Sequence, residues 1–281
     1  MAVPSVAQDD GLPFMEVGPW AKDKYSLVSL YDSLFSTGMK NKWDSRVYID
    51  LCSGPGLVNI PNSNRFLWGS PIQALSVRDK FDKYIFCERL PRYLDALRKR
   101  VSRLFPEADV SFVLGDCNDQ VEAIRGCIPK PSTKHTVLSF CFVDPFSLRV
   151  RFSTIRRIAE RRFVDFLVLL ALHMDANRNE RIYTGKHPRL DDFLGQSEWR
   201  SRWANRTTNI AFPRFLAEEY SQQMAALKYL PMPFDLMKPI RSDVKNLPLY
   251  HLALFSRSPL ALEYWKQVLK YSTAQGSLSF D

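Results

Sequence analysis

Three carboxylates stand at the ends of three consecutive apolar runs. Asp50 closes the stretch RVYIDLC (46–52), Glu88 closes KYIFCE (83–88), and Asp116 follows DVSFVL (109–114) within Gly115-Asp116-Cys117-Asn118. Directly after Asp50 comes Leu51-Cys52-Ser53-Gly54-Pro55-Gly56. A strand ending in a glycine turn sets backbone N–H groups at the carboxyl edge of a sheet, where open α/β folds bind ligands. A dinucleotide site would need GxGxxG running straight into a helix, with the helix N-terminus on a pyrophosphate. Here Gly54-Pro55-Gly56 is followed by Leu57-Val58-Asn59-Ile60-Pro61, which opens no helix, and the Asp50 carboxylate would repel a pyrophosphate. A ligand carrying an amino group and a sulfonium suits that carboxylate. S-adenosyl-L-methionine is such a ligand: Asp50 would meet its amino group, Glu88 both ribose hydroxyls and Asp116 the adenine amino group. The loop residues Cys52, Ser53, Gly54, Pro55 and Gly56, with Cys117 beside Asp116, complete the candidate cofactor set.

A fourth apolar run, VLSFCFV (137–143), ends in Asp144-Pro145-Phe146. In a doubly wound sheet that edge lies beside the first strand, across the switch point. A carboxylate and a ring placed there could orient and stack a planar acceptor, so Asp144, Pro145 and Phe146 are the candidate catalytic residues. The segment resembles the Asp-Pro-Pro-Tyr signature of methyltransferases acting on base amino groups, with one proline missing and the ring displaced by one position. Arg149 and Arg151 follow in the same loop, and further arginines lie at 156, 157, 161, 162, 178, 181 and 189. A basic rim of this kind suits a phosphate backbone, and Arg149 and Arg151 are the candidate substrate-binding residues. His173 reads as structural, and the spacing of Trp199 and Trp203 reads as packing.

These groups require a particular scaffold. The runs 46–52, 83–88, 109–114, 137–143 and 164–172 are apolar nearly throughout, and helical stretches alternate with them. That is the pattern of a parallel sheet covered on both faces. A weak strand at 234–240, a stronger one at 249–256 and a closing helix from Pro259 bring the count to about seven. The predicted fold is therefore α/β, a Rossmann-like class I methyltransferase sheet, mainly parallel, with a helical insertion at about 173–232 in which 190–203 and 213–230 read as helices. Residues 1–18 show no periodic pattern and read as a mobile tail, leaving 19–281 as one methyltransferase-like domain. With 281 residues, 46% of them hydrophobic and 25% charged, the chain is long enough for one sizeable core. No apolar run reaches the ~20 residues of a membrane span, and no secretory pattern opens the chain. The expected location is cytoplasmic, with no membrane partner. Five cysteines without CxxC spacing point to neither a zinc ribbon nor a disulfide framework, and no metal site is expected. The net charge of +9 favours polyanionic partners such as nucleic acid.

The ordered series of motifs resembles the three-Cys-motif partner family. It runs through Trp20 and Lys24, Tyr48-Ile49-Asp50 with Gly54-Pro55-Gly56, Gly69-Ser70-Pro71, Gly115-Asp116-Cys117-Asn118 and Phe142-Val143-Asp144-Pro145-Phe146. It continues with Leu190-Asp191-Asp192-Phe193-Leu194-Gly195, Trp199-Arg200 and Leu249-Tyr250-His251-Leu252. The resemblance implies a bacterial or phage protein encoded beside a separate three-cysteine, radical-SAM-like protein. Cys52 and Cys117 stand where the family more often has alanine or another small residue. The leading expectation is an S-adenosylmethionine-dependent methyltransferase acting on nucleic acid in mobile-element or defence biology. The alternatives are a non-catalytic accessory module for the three-cysteine partner, and a methyltransferase for a small molecule or protein.

Overall fold

The structure is a computed structural model describing residues 7–61, 63, 65–185, 187–243 and 246–275. Its strands are β1 (Met15–Glu16), β2 (Ser45–Asp50), β3 (Leu57–Ile60), β4 (Arg65–Trp68), β5 (Lys83–Glu88), β6 (Val110–Leu114), β7 (Val137–Val143), β8 (Phe163–Leu170), β9 (Lys238–Arg241) and β10 (Pro248–Phe255). Seven of them form one sheet in the order β6-β5-β2-β7-β8-β10-β9. The first five in that order are parallel; β10 runs antiparallel to both β8 and β9. The fold is thus the predicted Rossmann-like, mainly parallel seven-stranded sheet. Every residue of β2 and β7 is buried. Because side chains alternate between faces along a strand, burial at every position means that both faces are covered.

Among the described residues, ten α-helices accompany the strands. They are α1 (Ala21–Met39), α2 (Ser70–Ser76), α3 (Pro91–Leu104), α4 (Val121–Cys127), α5 (Phe152–Ala159), α6 (Glu180–Tyr183), α7 (Arg189–Leu194), α8 (Trp199–Ala204), α9 (Phe212–Ala226) and α10 (Pro259–Gln275). Helix α1 lays Leu27, Val28, Tyr31 and Phe35 against the sheet, with the rings of Tyr31 and Phe35 5.2 and 5.3 Å from that of Phe140. Proline at the first turn opens α2, α3 and α9, where its missing N–H costs nothing. Elements α6 to α9 make up the expected helical insertion. They are tied to the domain through Tyr220, whose ring meets those of Phe152, Phe193 and Phe255. Among the described residues, no helix is long and apolar enough to cross a membrane.

The structure departs from the sequence expectations in four places. Leu57–Ile60, read only as opening no helix, pairs with Arg65–Trp68 to form the hairpin β3–β4. Residues 1–18 were expected to be mobile, yet from residue 7 onward they are docked; 1–6 lie outside the described residues. Met15 and Glu16 pair in parallel with Val58 and Asn59, completing a small second sheet. The fully buried Arg100 fixes this segment. It donates to Asp10 (3.0 and 2.5 Å) and to the carbonyls of Leu12 (3.2 Å), Pro13 (2.8 Å) and Pro55 (2.7 Å). One side chain some ninety residues away supplies this order, so no local pattern announces it. The helix expected over 190–203 is two helices, α7 and α8, because Gly195 turns left-handed at φ 68°. The strand expected over 234–240 begins only at Lys238, after a 3₁₀ turn at Phe234–Leu236.

Candidate active site

Asp50 ends β2 fully buried. Its Oδ2 accepts the Ser70 hydroxyl at 2.7 Å and its Oδ1 the Cys52 N–H at 3.1 Å. The carboxyl therefore stands behind the glycine turn and ties it to the start of α2, rather than facing open space. Burial, opposed by these two hydrogen bonds, pushes its pKa up to about 7; the charges of Asp144 and Glu88 add to the rise. Gly54 and Gly56 adopt φ of 61° and 81°. A Cβ on Gly56 would also lie 2.8 Å from the Leu97 side chain, so the turn demands glycine twice over. Glu88, at the end of β5, accepts Gly54 N–H on Oε2 (3.0 Å) and Leu90 N–H on Oε1 (2.8 Å). Ser53 N–H donates to the Cys87 carbonyl at 3.0 Å. The loop after β2 is thus fastened to the end of the neighbouring strand.

Asp116 lies one strand further out. Its Oδ1 accepts both the backbone N–H (3.0 Å) and the side-chain amide (2.8 Å) of Asn118. Asn118 in turn donates to the Arg149 carbonyl (3.0 Å) and accepts from Arg151 N–H (2.9 Å) and the Thr154 hydroxyl (2.8 Å). The loop after β7 therefore folds back onto the loop after β6. The neighbouring Cys117 thiol, together with burial, pushes the Cys52 thiol well up; the nearby Arg149 charge works the other way. Arg151 is half exposed, 3.9 Å from Asp119.

Asp144 follows β7, which runs parallel to β2 with Phe142 opposite Asp50. The expected adjacency of these two strands is present. Beside them lies a cavity of ≈ 310 Å³, and among its lining residues are Cys52, Ser53, Ser70, Asp144, Pro145 and Phe146. Lys24 of α1 enters this cavity and donates to Asp144 Oδ2 at 2.6 Å; the two side chains are only 10% and 12% exposed. Burial opposes the charge on Lys24, but the Asp144 carboxylate, with Tyr25 and Tyr250 adding to it, holds the ammonium above its ordinary pKa. Tyr25 and Tyr250 complete the wall. Burial pushes the Tyr25 phenol up to about 12, so both hydroxyls remain protonated and polar. Phe146, at 56% exposure, stands at the mouth. Asp175 braces this loop from the insertion, accepting Leu148 N–H (2.9 Å) and the Tyr183 hydroxyl (2.6 Å).

The structure brings Asp50, Cys52, Ser53, Gly54, Pro55, Gly56 and Glu88 into one loop assembly, and Asp116 and Cys117 onto its outer side. It adds Lys24, Tyr25, Ser70 and Tyr250, to which sequence reasoning gave no role. Lys24 stands in the motif series, and it left a physical signal as well: it shares a helical face with Ala21, Tyr25 and Val28, all buried. A lysine on an apolar stripe calls for a buried partner. His173 lies in the turn Leu172–Ala176, with its ring 5.4 Å from that of His251. Burial lowers the His251 pKa to about 4, aided by the charges of His173 and Arg241, and this pair stays outside the cavity.

No protein-family profile matches the chain, and neither does any curated protein. Solved structures of similar outline include a Legionella pneumophila protein of family DUF519, with TM-score 0.48 at 13% identity over 89% of this chain and 91% of that one. Trm1 from Pyrococcus horikoshii, solved with S-adenosyl-L-methionine, has TM-score 0.48 at 11% identity, covering 94% of this chain but 62% of its own. An O-methyltransferase from Bacillus cereus in complex with SAH has TM-score 0.44 at 12% identity, over 88% and 85%. All three scores are below 0.5, and the fold assignment rests on the strand order itself.

Proposed function

We propose that this chain is an S-adenosyl-L-methionine-dependent methyltransferase acting on nucleic acid. The observation that carries the reading is the assembly of Asp50, the glycine turn and Glu88 at the edge of β2 and β5, with the Lys24–Asp144 pair across the cavity. The residues present fit that cofactor. Each Glu88 oxygen accepts one backbone N–H, so the carboxylate keeps lone pairs for two ribose hydroxyls. Asp116 Oδ2 accepts no hydrogen bond among the described residues and is available to an adenine amino group. Asp50 holds the turn and contributes negative charge behind a cationic ligand. Bound there, the cofactor supplies an electrophilic methyl group.

The chain's own residues then position the acceptor. Asp144 accepts a hydrogen from an amino or hydroxyl group, directing its lone pair into the cavity. Lys24 holds the Asp144 carboxylate in place through their 2.6 Å hydrogen bond. Phe146 offers an exposed ring on which a planar acceptor stacks. Calorimetric titration with S-adenosyl-L-methionine is the first test, with micromolar-range binding expected. Absence of binding by the folded protein overturns the reading. The second test is methyl incorporation from labelled cofactor into total bacterial DNA and RNA.

A second reading has a specific observation in its favour. Asp144 is already engaged by Lys24 at 2.6 Å, which is how a retired catalytic carboxylate would be stabilised. The chain would then be an accessory module for a three-cysteine, radical-SAM-like partner. That partner, the bacterial or phage source and the mobile-element or defence setting rest on the family resemblance. Binding of cofactor without methyl transfer, with the partner present, favours this second reading.

A further inference from the structure

A Rossmann-like connection passes from the glycine turn into a helix. Here β3 and β4 intervene before α2, and with β1 they form a small sheet standing beside the main one. Between this sheet and α1 runs an open groove of ≈ 1410 Å³. Its α1 wall presents Lys22, Ser26, Ser29 and Ser33, spaced four, three and four residues apart, which places them on one helical stripe. Eleven residues of helix make that stripe about 16 Å long, the length of a few nucleotides. The opposite wall presents Arg65, Phe66 and Trp68 from β4, with the Phe14 ring packed edge-on to Phe66 at 5.2 Å. Arg78 stands beyond the end of α2, also on the groove.

The charge of the groove is mainly positive. Lys22, Arg65 and Arg78 line it, and Asp9 is the sole acid among the described lining residues. All three cations are exposed, and none is within salt-bridge distance of a carboxylate among the described residues. By contrast, Arg151 has Asp119 within 3.9 Å. The groove meets the cavity at Tyr25, whose side chain lines both.

We infer that this groove is the track for single-stranded nucleic acid, with phosphates on Lys22, Arg65 and Arg78 and bases against Phe66 and Trp68. A basic trough bearing aromatic rings is the chemistry that holds single strands without a fixed sequence. The small serine side chains of α1 leave room for the backbone and offer hydroxyl donors to phosphate oxygens. The inference rests on the nucleic-acid reading above and moves its main contacts away from Arg149 and Arg151. It also assigns a purpose to the outer face of the hairpin, whose β4 residues Arg65, Phe66 and Trp68 line the groove.

The test is fluorescence anisotropy with a labelled single-stranded RNA, its DNA counterpart and the corresponding duplex, across a range of salt. Single strands should bind better than duplex. Three phosphate contacts predict a slope of log affinity against log salt of about −2. The double variant Arg65→Ala, Arg78→Ala should bind about tenfold more weakly at low salt, with the slope falling to about −0.7. Its titration with S-adenosyl-L-methionine should match the wild type, which shows that the fold is intact. If the wild type binds, this variant binds equally well and Arg149→Ala, Arg151→Ala does not, the groove assignment is overturned and the nucleic-acid reading stands. If the wild type binds no strand at low salt, that reading fails and the groove assignment with it. Equal competition by polyglutamate overturns the assignment to nucleic acid.

Discussion

The two halves of the carboxyl edge are built on different plans. On the side of β2, β5 and β6, each acid is engaged by backbone N–H groups of its own or a neighbouring loop: Cys52 on Asp50, Gly54 and Leu90 on Glu88, Asn118 on Asp116. On the side of β7, Asp144 is engaged by a side chain 120 residues earlier, Lys24 at 2.6 Å. The first half is a set of loops made rigid by local hydrogen bonds. The second is a junction where a helix, a strand end and β10, through Tyr250, converge on one buried charge pair. Local hydrogen bonds suit the holding of a constant ligand. A long-range pair can change its partner, which suits the reception of a variable one.

The sharpest way to break this comparison is to remove Lys24. Lys24→Met should cost about 3–5 kcal/mol of stability in urea unfolding, because a buried carboxylate is left uncompensated. Adding Asp144→Asn should recover most of that loss, since the remaining charge also disappears. A single-variant loss no larger than that of a surface residue would mean that the pair is not buried. Asp144→Asn alone keeps the shape and removes the charge. Methyl incorporation should fall roughly 10²-fold, while affinity for S-adenosyl-L-methionine stays near the wild-type value; equal incorporation by both proteins would remove Asp144 from the chemistry.

On the other half, Asp50→Ala and Glu88→Ala should each weaken cofactor binding about tenfold or more, a loss of about 1.4 kcal/mol. Titration calorimetry reads this directly, and wild-type affinity in both would sink the assignment of this half. The smallest effect is a pH dependence. Asp50 titrates in the fold at about 7, above its unfolded value, so between those values the folded state holds more protons than the unfolded one. Its contribution to stability is therefore full below the unfolded pKa and declines as pH rises through about 7. The buried Asp165, pushed to about 7 by burial, adds to the same decline. Affinity for a cationic ligand should move oppositely, rising between about pH 6 and pH 8 as Asp50 ionises. Asp50→Asn should flatten that rise, and titrations at several pH values check it.

The contrast between the halves also explains what could be read from the residues alone. The parallel strands were legible because β2, β5, β7 and β8 are buried on both faces and so are apolar almost without interruption. The loop after β2 was legible because Gly54 and Gly56 need a backbone that only glycine adopts freely. What escaped was order imposed from a distance. Met15 and Glu16 form a strand because β3 offers an edge, and β3 itself was masked by its brevity and by Pro61. The tie between Asp50 and Ser70 escaped for a related reason: Ser70, whose hydroxyl donates to the Asp50 carboxylate, lies beyond the hairpin. Lys24 and Tyr250 reach the cavity from opposite ends of the chain, and no spacing rule connects them to Asp144.

The Arg100 guanidinium, which holds Asp10, Leu12, Pro13 and Pro55 together, has a consequence for amide hydrogen exchange. The N-terminal strand and the glycine turn cannot open separately while that side chain bridges them, so they form one cooperative unit. Amides of Val17, which donates to Asn59, and of Gly54 should exchange at a common rate. A ligand that binds only the turn should slow both, protecting a segment that it never touches.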